Sequence, residues 1–198
     1  MTAPVRDLRT ALLRVAAEVV TESGVGEVSV RALARAAGVS HAAHRHHFAS
    51  RTGLLTALAA EGHRMLATAL EKAAPAGFLE VGVAYVAFAH DHPGHFAVMF
   101  TPDVLDDQDP ELAAARSRTF GVLAAGVDAL AAEGRVEDAR AAVVAAWSLV
   151  HGLADLAATG NLTGAGLGPP AGRDGLLELA RRAAGMLYGS PDGGVDDA

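Results

Sequence analysis

Between Val28 and Leu55 the chain reads VSVRALARAAGVSHAAHRHHFASRTGLL, two short helical patterns separated by one glycine and closed by Phe48. Ser29 can accept from the free N–H groups of a first helix in which Val30, Leu33, Ala34 and Ala37 recur at helical spacing. Gly38 falls where that helix must end in a left-handed backbone conformation that a side chain would penalise, and Val39 then returns to the core. Ser40 caps the second helix. Its residues His41, Ala42, His44, Arg45 and His46 either form hydrogen bonds or are too short to obstruct a groove, while Phe48 re-enters the core. A second helix of this kind, held at a fixed angle to the first, is what readout of a DNA major groove requires.

The rest of the chain reads as helix punctuated by Gly and Pro, with no strand alternation and no internal repeat, so the expected fold class is all-α. Leu8, Leu12, Val15 and Val19 mark a first helix ending near Ser23-Gly24 that props the two short ones. A long helix opens near Ser50 with Leu54, Leu55, Leu58, Met65, Leu66 and Leu70 and is broken by Pro75 and Gly77. Phe78, Val81, Tyr85 and Phe88 mark the next, and Pro93-Gly94 predicts a helix-joining corner with solvated imidazoles. Asp109-Pro110-Glu111 combines a capping carboxylate, a first-turn proline and an acid at the positive end of the dipole, a strong helix start. That helix ends at Gly134, and another runs from about Val136 to Gly160 with Val143, Trp147, Val150, Ala154 and Ala157 on one stripe. A loop over 160–172 and a last helix from Arg173 to about Tyr188, repeating Leu176, Ala180, Ala183 and Leu187, complete the pattern. The expected organisation is a three-helix head over 1–50, a larger helical domain over 51–189 for ligand binding and dimerisation, and a disordered tail over 190–198.

The net charge of −7 is unevenly distributed: residues 1–60 carry +3 with four further histidines, and residues 61–198 carry −10. An acidic body repels phosphates everywhere except at a basic head, which orients the chain on a polyanion. The chain contains no cysteine, which excludes a disulfide framework, a thiol nucleophile and a Cys-ligated metal, and fits a reducing cytoplasm. Asp7, Arg14 and Glu18 interrupt the N-terminal apolar pattern, unlike a signal-peptide core, and no apolar run reaches the ~18 residues of a membrane span. The expectation is a soluble cytoplasmic protein that does not engage a membrane.

The series Ser29-Val30-Arg31-x-Leu33-Ala34-x-Ala36-Ala37-Gly38-Val39-Ser40, the short reading helix, His47-Phe48 and the leucine-rich long helix resemble the tetracycline-repressor (TetR) family of bacterial transcription regulators from Leu8 to about Leu66. His92 to Phe100 and Trp147-x-x-x-His151-Gly152 resemble the subset named after a Trp-His-Gly signature in the ligand domain. The resemblance implies a homodimeric repressor, released from a palindromic double-stranded DNA operator by an apolar small-molecule effector, with no enzymatic activity, metal or cofactor. The implied DNA-binding residues are Ser29, Arg31, Ser40, His41, Ala42, His44, Arg45, His46 and Arg51. Relatives usually carry a phosphate-touching Tyr where this chain has His44-Arg45-His46, and Arg45 makes that contact with more charge. Arg51 replaces the common Lys at the opening of the long helix, as a phosphate clamp.

The implied ligand cavity is apolar, lined by Met65, Tyr85, Phe88, Phe96, Phe100, Phe120, Trp147 and His151, although any of these aromatics taken singly is more often a core residue. Trp147, His151 and Asp155 lie one turn apart, so Asp155 can orient His151 toward a ligand; alternatively Trp147 and His151 are packing residues beside Gly152. His41, His44 and His47 lack a carboxylate or Cys to complete a metal shell. The other functional class is a small-molecule or metal-dependent helical enzyme using His90, His92, His95 and His151, for which the chain offers no H-E-x-x-H, G-x-S-x-G or P-loop motif.

Overall fold

The computed structural model describes residues 5–30, 33, 48, 50–168 and 172–188. The calls on Arg31, Ser40, His41, Ala42, His44, Arg45 and His46, and on the tail from 190, lie outside the described residues. Those described are helical, with no strand among them: α1 Val5–Ser23, α2 Arg51–Ala73, α3 Phe78–Asp91, α4 Pro93–Met99, α5 Pro110–Ala132, α6 Ala139–Ala158, α7 Asn161–Gly164 and α8 Arg173–Tyr188.

The helix ends have local causes. The Ser50 hydroxyl accepts from Gly53 N–H at 3.0 Å and opens α2, and Asp109 Oδ1 accepts from Leu112 N–H at 2.9 Å and opens α5. Asp138 caps α6 by accepting from Ala141 N–H at 2.9 Å, so that helix starts three residues later than expected. Gly77 and Gly160, at φ +108° and +73°, end helical runs where a Cβ would be strained. The expected loop over 160–172 contains the short helix α7, whose Leu162 is buried.

The chain packs as two compact units, residues 1–67 with 91–119 and residues 68–90 with 120–198. These units are discontinuous in sequence, because α4 returns to α1. In the first unit, Leu12, Leu13, Ala16 and Val20 of α1 are buried, as are Leu33, Phe48, Leu54, Leu55, Leu58, Val98 and Leu112. The stripe expected on α1 is thus rotated: Leu8, Val15 and Val19 are only partly buried. The rotation follows from α4, which crosses so closely that a Cβ on Gly94 would collide with the Ala17 carbonyl oxygen and the Thr21 hydroxyl.

In the second unit, Val86 of α3 and Leu176 and Ala180 of α8 form a buried cluster with Val150, Leu153 and Ala157 of α6 packed on it. Arg181 donates to both carboxylate oxygens of Glu80 at 2.9 and 3.0 Å, fastening α8 to α3. The inward stripe of α8 is Leu176, Ala180 and Ala184, whereas Met186 and Leu187 are exposed. One helix among the described residues, α6, is by length and composition apolar enough to cross a membrane, with a mean hydropathy of 1.5. Its apolar run is nonetheless interrupted by Arg140 and Asp155, and an alanine-rich helix reaches that value with both charges present.

Candidate functional site

The described base of the head is held from below. Leu33 N–H donates to the Ser29 carbonyl at 2.9 Å, the first turn of the first short helix, and Leu33 is 1% exposed. Arg9 lies over the Phe48 ring, 5.7 Å from its centroid. Arg51 has backbone partners within the protein. Its Nε donates to the Val28 carbonyl at 3.0 Å and its Nη2 to the Val25 carbonyl at 2.6 Å, so the guanidinium is turned inward onto the chain that enters the head. An arginine so bonded ties the start of α2 to the turn over Val25–Glu27.

The ligand-site residues expected from sequence divide between the two units. Phe96 and Phe100 lie in the first, with ring centroids 5.1 Å apart. Met65, also in the first unit, lines an open groove of about 470 Å³ between α1, α2 and α4, with Glu18, Glu22, Glu61, His92 and His95. Tyr85, Phe120, Trp147 and His151 come together in the second unit. The Trp147 indole N–H donates to the Tyr85 hydroxyl at 3.4 Å, and that hydroxyl lies 2.9 Å from His151 Nδ1. Phe120 stands edge-on to Trp147 with centroids 5.1 Å apart and is 38% exposed. Phe88 is a buried residue of α3.

Hydrogen-bond chemistry gives this trio a direction. An indole only donates, so the Tyr85 hydroxyl accepts from Trp147 and sends its own proton to His151 Nδ1. Neutral His151 then carries its proton on Nε2. Burial lowers its pKa from the ordinary value, against the opposing pull of Asp155, which keeps the ring neutral. Burial raises the Tyr85 pKa, so the hydroxyl stays protonated. Tyr85 orients His151 through Nδ1, and the charge of Asp155 favours the protonated ring.

The enzyme set is dispersed. His90 lies in the last turn of α3, in the second unit, and is exposed, and His92 and His95 are in the first with ring centroids 6.1 Å apart. His95 is not solvated as expected: its Nε2 lies 3.1 Å from Glu61 Oε2, and its side chain is only 13% exposed. Among the described residues no group of three His, Asp or Glu is arranged to hold a metal ion.

Sequence reasoning missed His63. It is 2% exposed on the inner face of α2, with Nδ1 3.4 Å from the Thr119 hydroxyl. Burial, aided by Arg116, lowers its pKa to about 4. Its place between Leu58-Ala59-Ala60 and Leu66-Ala67, on an otherwise apolar face, was the available signal.

An all-helical chain with a short-helix head and a helical ligand domain is the build of a one-component transcription regulator. Residues 12–58 match the model described as bacterial regulatory proteins, tetR family, and residues 78–187 match the tetracyclin repressor-like C-terminal domain, which is consistent with the Trp-His-Gly subset. None of the curated proteins compared with it matches the chain. A solved protein with unknown function from Rhodococcus sp. is 33% identical at a TM-score of 0.71, over 91% of this chain and 95% of that one. The TetR family transcriptional regulator PfmR from Thermus thermophilus is 25% identical at a TM-score of 0.68, over 89% and 96%. A tetR-family regulatory protein from Rhodococcus shares the fold at a TM-score of 0.64 and 22% identity, over 92% and 98%. The chain belongs to the TetR family of DNA-binding transcription regulators, which are not enzymes and typically dimerise and bind small-molecule effectors.

Proposed function

We propose that this regulator is a cytoplasmic homodimeric repressor, released from a palindromic operator when an apolar molecule with a hydrogen-bond acceptor binds at Trp147, Tyr85, His151 and Phe120. The observation that supports the effector site is the hydrogen-bonded trio of Trp147, Tyr85 and His151 with the exposed Phe120 ring edge-on to Trp147, a few polar groups set in an apolar surround. Ser29, Arg31, Ser40, His41, Ala42, His44, Arg45 and His46 read or clamp the operator, and Arg51 positions them. Effector and operator oppose each other through one reciprocal coupling energy.

Support for the dimer comes from apolar side chains with no cover in the protomer. Val144 and Leu156 of α6 and Met186 and Leu187 of α8 are 56%, 43%, 88% and 52% exposed. A twofold pairing of α6 and α8 with their symmetry mates covers them and supplies the twin heads that a palindrome requires.

The chain has one tryptophan, so its fluorescence reports on the site directly. The operator is obtained by selection from random duplexes, and candidate apolar carbonyl compounds are then titrated against protein and complex. A compound that changes Trp147 emission should release the operator over the same concentration range. A releasing compound that leaves the emission unchanged, and binds equally well to His151→Leu, places the effector site elsewhere.

A further inference from the structure

We infer that Glu111, in the first turn of α5, is a positioning residue for operator recognition: its carboxylate holds the Arg9 guanidinium over the Phe48 ring and so fixes the end of the DNA-reading segment. The inference rests on the reading role proposed for Ser40 to His46, the stretch that leads into Phe48. Arg9, Phe48 and Glu111 all belong to the first unit.

The backbone beneath the Glu111 side chain is fixed at several points. The Asp106 N–H donates to the buried Thr56 hydroxyl of α2 at 2.9 Å, which ties the approach to α5 onto the long helix. Asp109 caps the first turn at the Leu112 N–H, and the Leu112 side chain, next to Glu111, is 0% exposed. Glu111 Oε2 lies 3.6 Å from Arg9 Nη2 of α1 and 3.8 Å from Arg64 Nη1 of α2, so one oxygen draws on two arginines. A short carboxylate on anchored backbone orients the longer side chain that it meets.

Arg9 thus has two partners at once. Its guanidinium carbon stands 5.7 Å from the centroid of Phe48, within the ~6 Å reach of cation–π attraction, and Phe48 is 5% exposed. The attraction of a ring for a half-exposed cation is small, and a free arginine side chain has many rotamers to lose in making it. A carboxylate that already restricts those rotamers leaves less to lose. The arrangement also bears on what Arg9 does. An arginine destined for a DNA phosphate is weakened by a nearby carboxylate, because two anions then compete for one cation, whereas an arginine that holds Phe48 in place is helped by it. The two roles give opposite signs for the loss of Glu111.

The test compares four full-length proteins: wild type, Glu111→Gln, Arg9→Gln and the double variant. Each is titrated with an operator duplex selected from random sequence and with an unselected duplex of the same length, at one salt concentration. Removing an acid from a DNA-binding unit favours phosphates, so Glu111→Gln should bind the unselected duplex as tightly as wild type or more so. Operator binding should instead weaken about two- to fivefold, the size of an exposed ion pair. In the Arg9→Gln background that loss should vanish, since the carboxylate then has no guanidinium to hold. The loss of an acid from the positive end of α5 is common to both backgrounds and cancels in the comparison. The Arg9 and Glu111 side chains are 38% and 65% exposed, so neither substitution opens the core, and circular dichroism should show unchanged helix content. Should Glu111→Gln nonetheless lose helix, Glu111→Asp, which keeps the charge and shortens the reach, is read in its place in both backgrounds. Unchanged or tighter operator binding, an equal loss on both duplexes, or an equal loss with and without Arg9 would each overturn the inference. A selection that yields no preferred duplex would overturn the reading role itself, and this inference with it.

Discussion

Replacing Arg51 by Ala separates two roles that sequence alone merges. If the guanidinium were a phosphate clamp, its loss would leave the fold intact and lower the slope of log affinity against log salt by about 0.9, the value for one phosphate contact on B-DNA. The geometry gives another outcome. Two hydrogen bonds from a charged donor, to Val25 and Val28, are lost from a partly buried position. Each is worth about 1.5–3 kcal/mol when well buried. Discounted for partial exposure, the pair comes to about 2–3 kcal/mol, and the melting temperature of a chain this size should fall by about 5–10 °C. Operator affinity should fall as the head loosens, with the salt slope unchanged. The assay is a thermal melt beside operator binding at four or more salt concentrations. A slope reduced by one contact with an unshifted melt would refute the positioning role.

Three further outcomes follow from buried groups and exposed faces. His63 is held neutral with its pKa lowered to about 4 from an ordinary value of 6.5, so the unfolded chain binds the proton more readily. Its contribution is therefore constant above pH ~6.5 and is lost as pH falls toward 4; at pH 5 about 2 kcal/mol should be gone, and His63→Leu should flatten that part of a pH–stability curve measured in urea. Gly94→Ala forces a Cβ onto the Ala17 carbonyl and should destabilise the protein by about 1–3 kcal/mol; an unchanged urea midpoint would contradict the close crossing of α4 on α1. Met186→Glu combined with Val144→Glu changes side chains that are exposed in the protomer, so helicity should persist while light scattering reports monomers and operator binding collapses; an intact dimer would remove this face from the interface.

Helix boundaries were legible wherever a short-range rule acts. Ser50, Gly77, Pro93, Asp109-Pro110, Gly134 and Gly160 mark ends in the sequence as in the structure, because capping and left-handed turns depend on a few adjacent residues. Burial was less legible, since which face turns inward depends on partners far along the chain. The buried stripe of α1 is rotated by the crossing at Gly94, and α8 buries Ala184 where the repeat suggested Ala183 and Leu187. The candidate sites show the same limit. Trp147 and His151 are one turn apart and could be paired on paper, but Tyr85, which gives them direction, comes from 62 and 66 residues away. Arg51 was assigned by analogy with an outward-reaching cation, and only the fold reveals the two carbonyls that capture it.

The division into two units alternates along the chain, first unit, second, first, second, and this orders events during synthesis on the ribosome. The first unit needs residues 91–119, including the α4 segment that seats on α1, and therefore cannot close until more than half the polypeptide has emerged. At about 5–20 residues per second, that is several seconds in which Leu12, Leu13, Leu54 and Leu55 wait without their complete cover. A truncated product ending before residue 119, whether from a nonsense codon or a designed head-only fragment, would carry the DNA-reading sequence on an unfinished core, and is expected to be a substrate for proteases before it is a competitor for the operator.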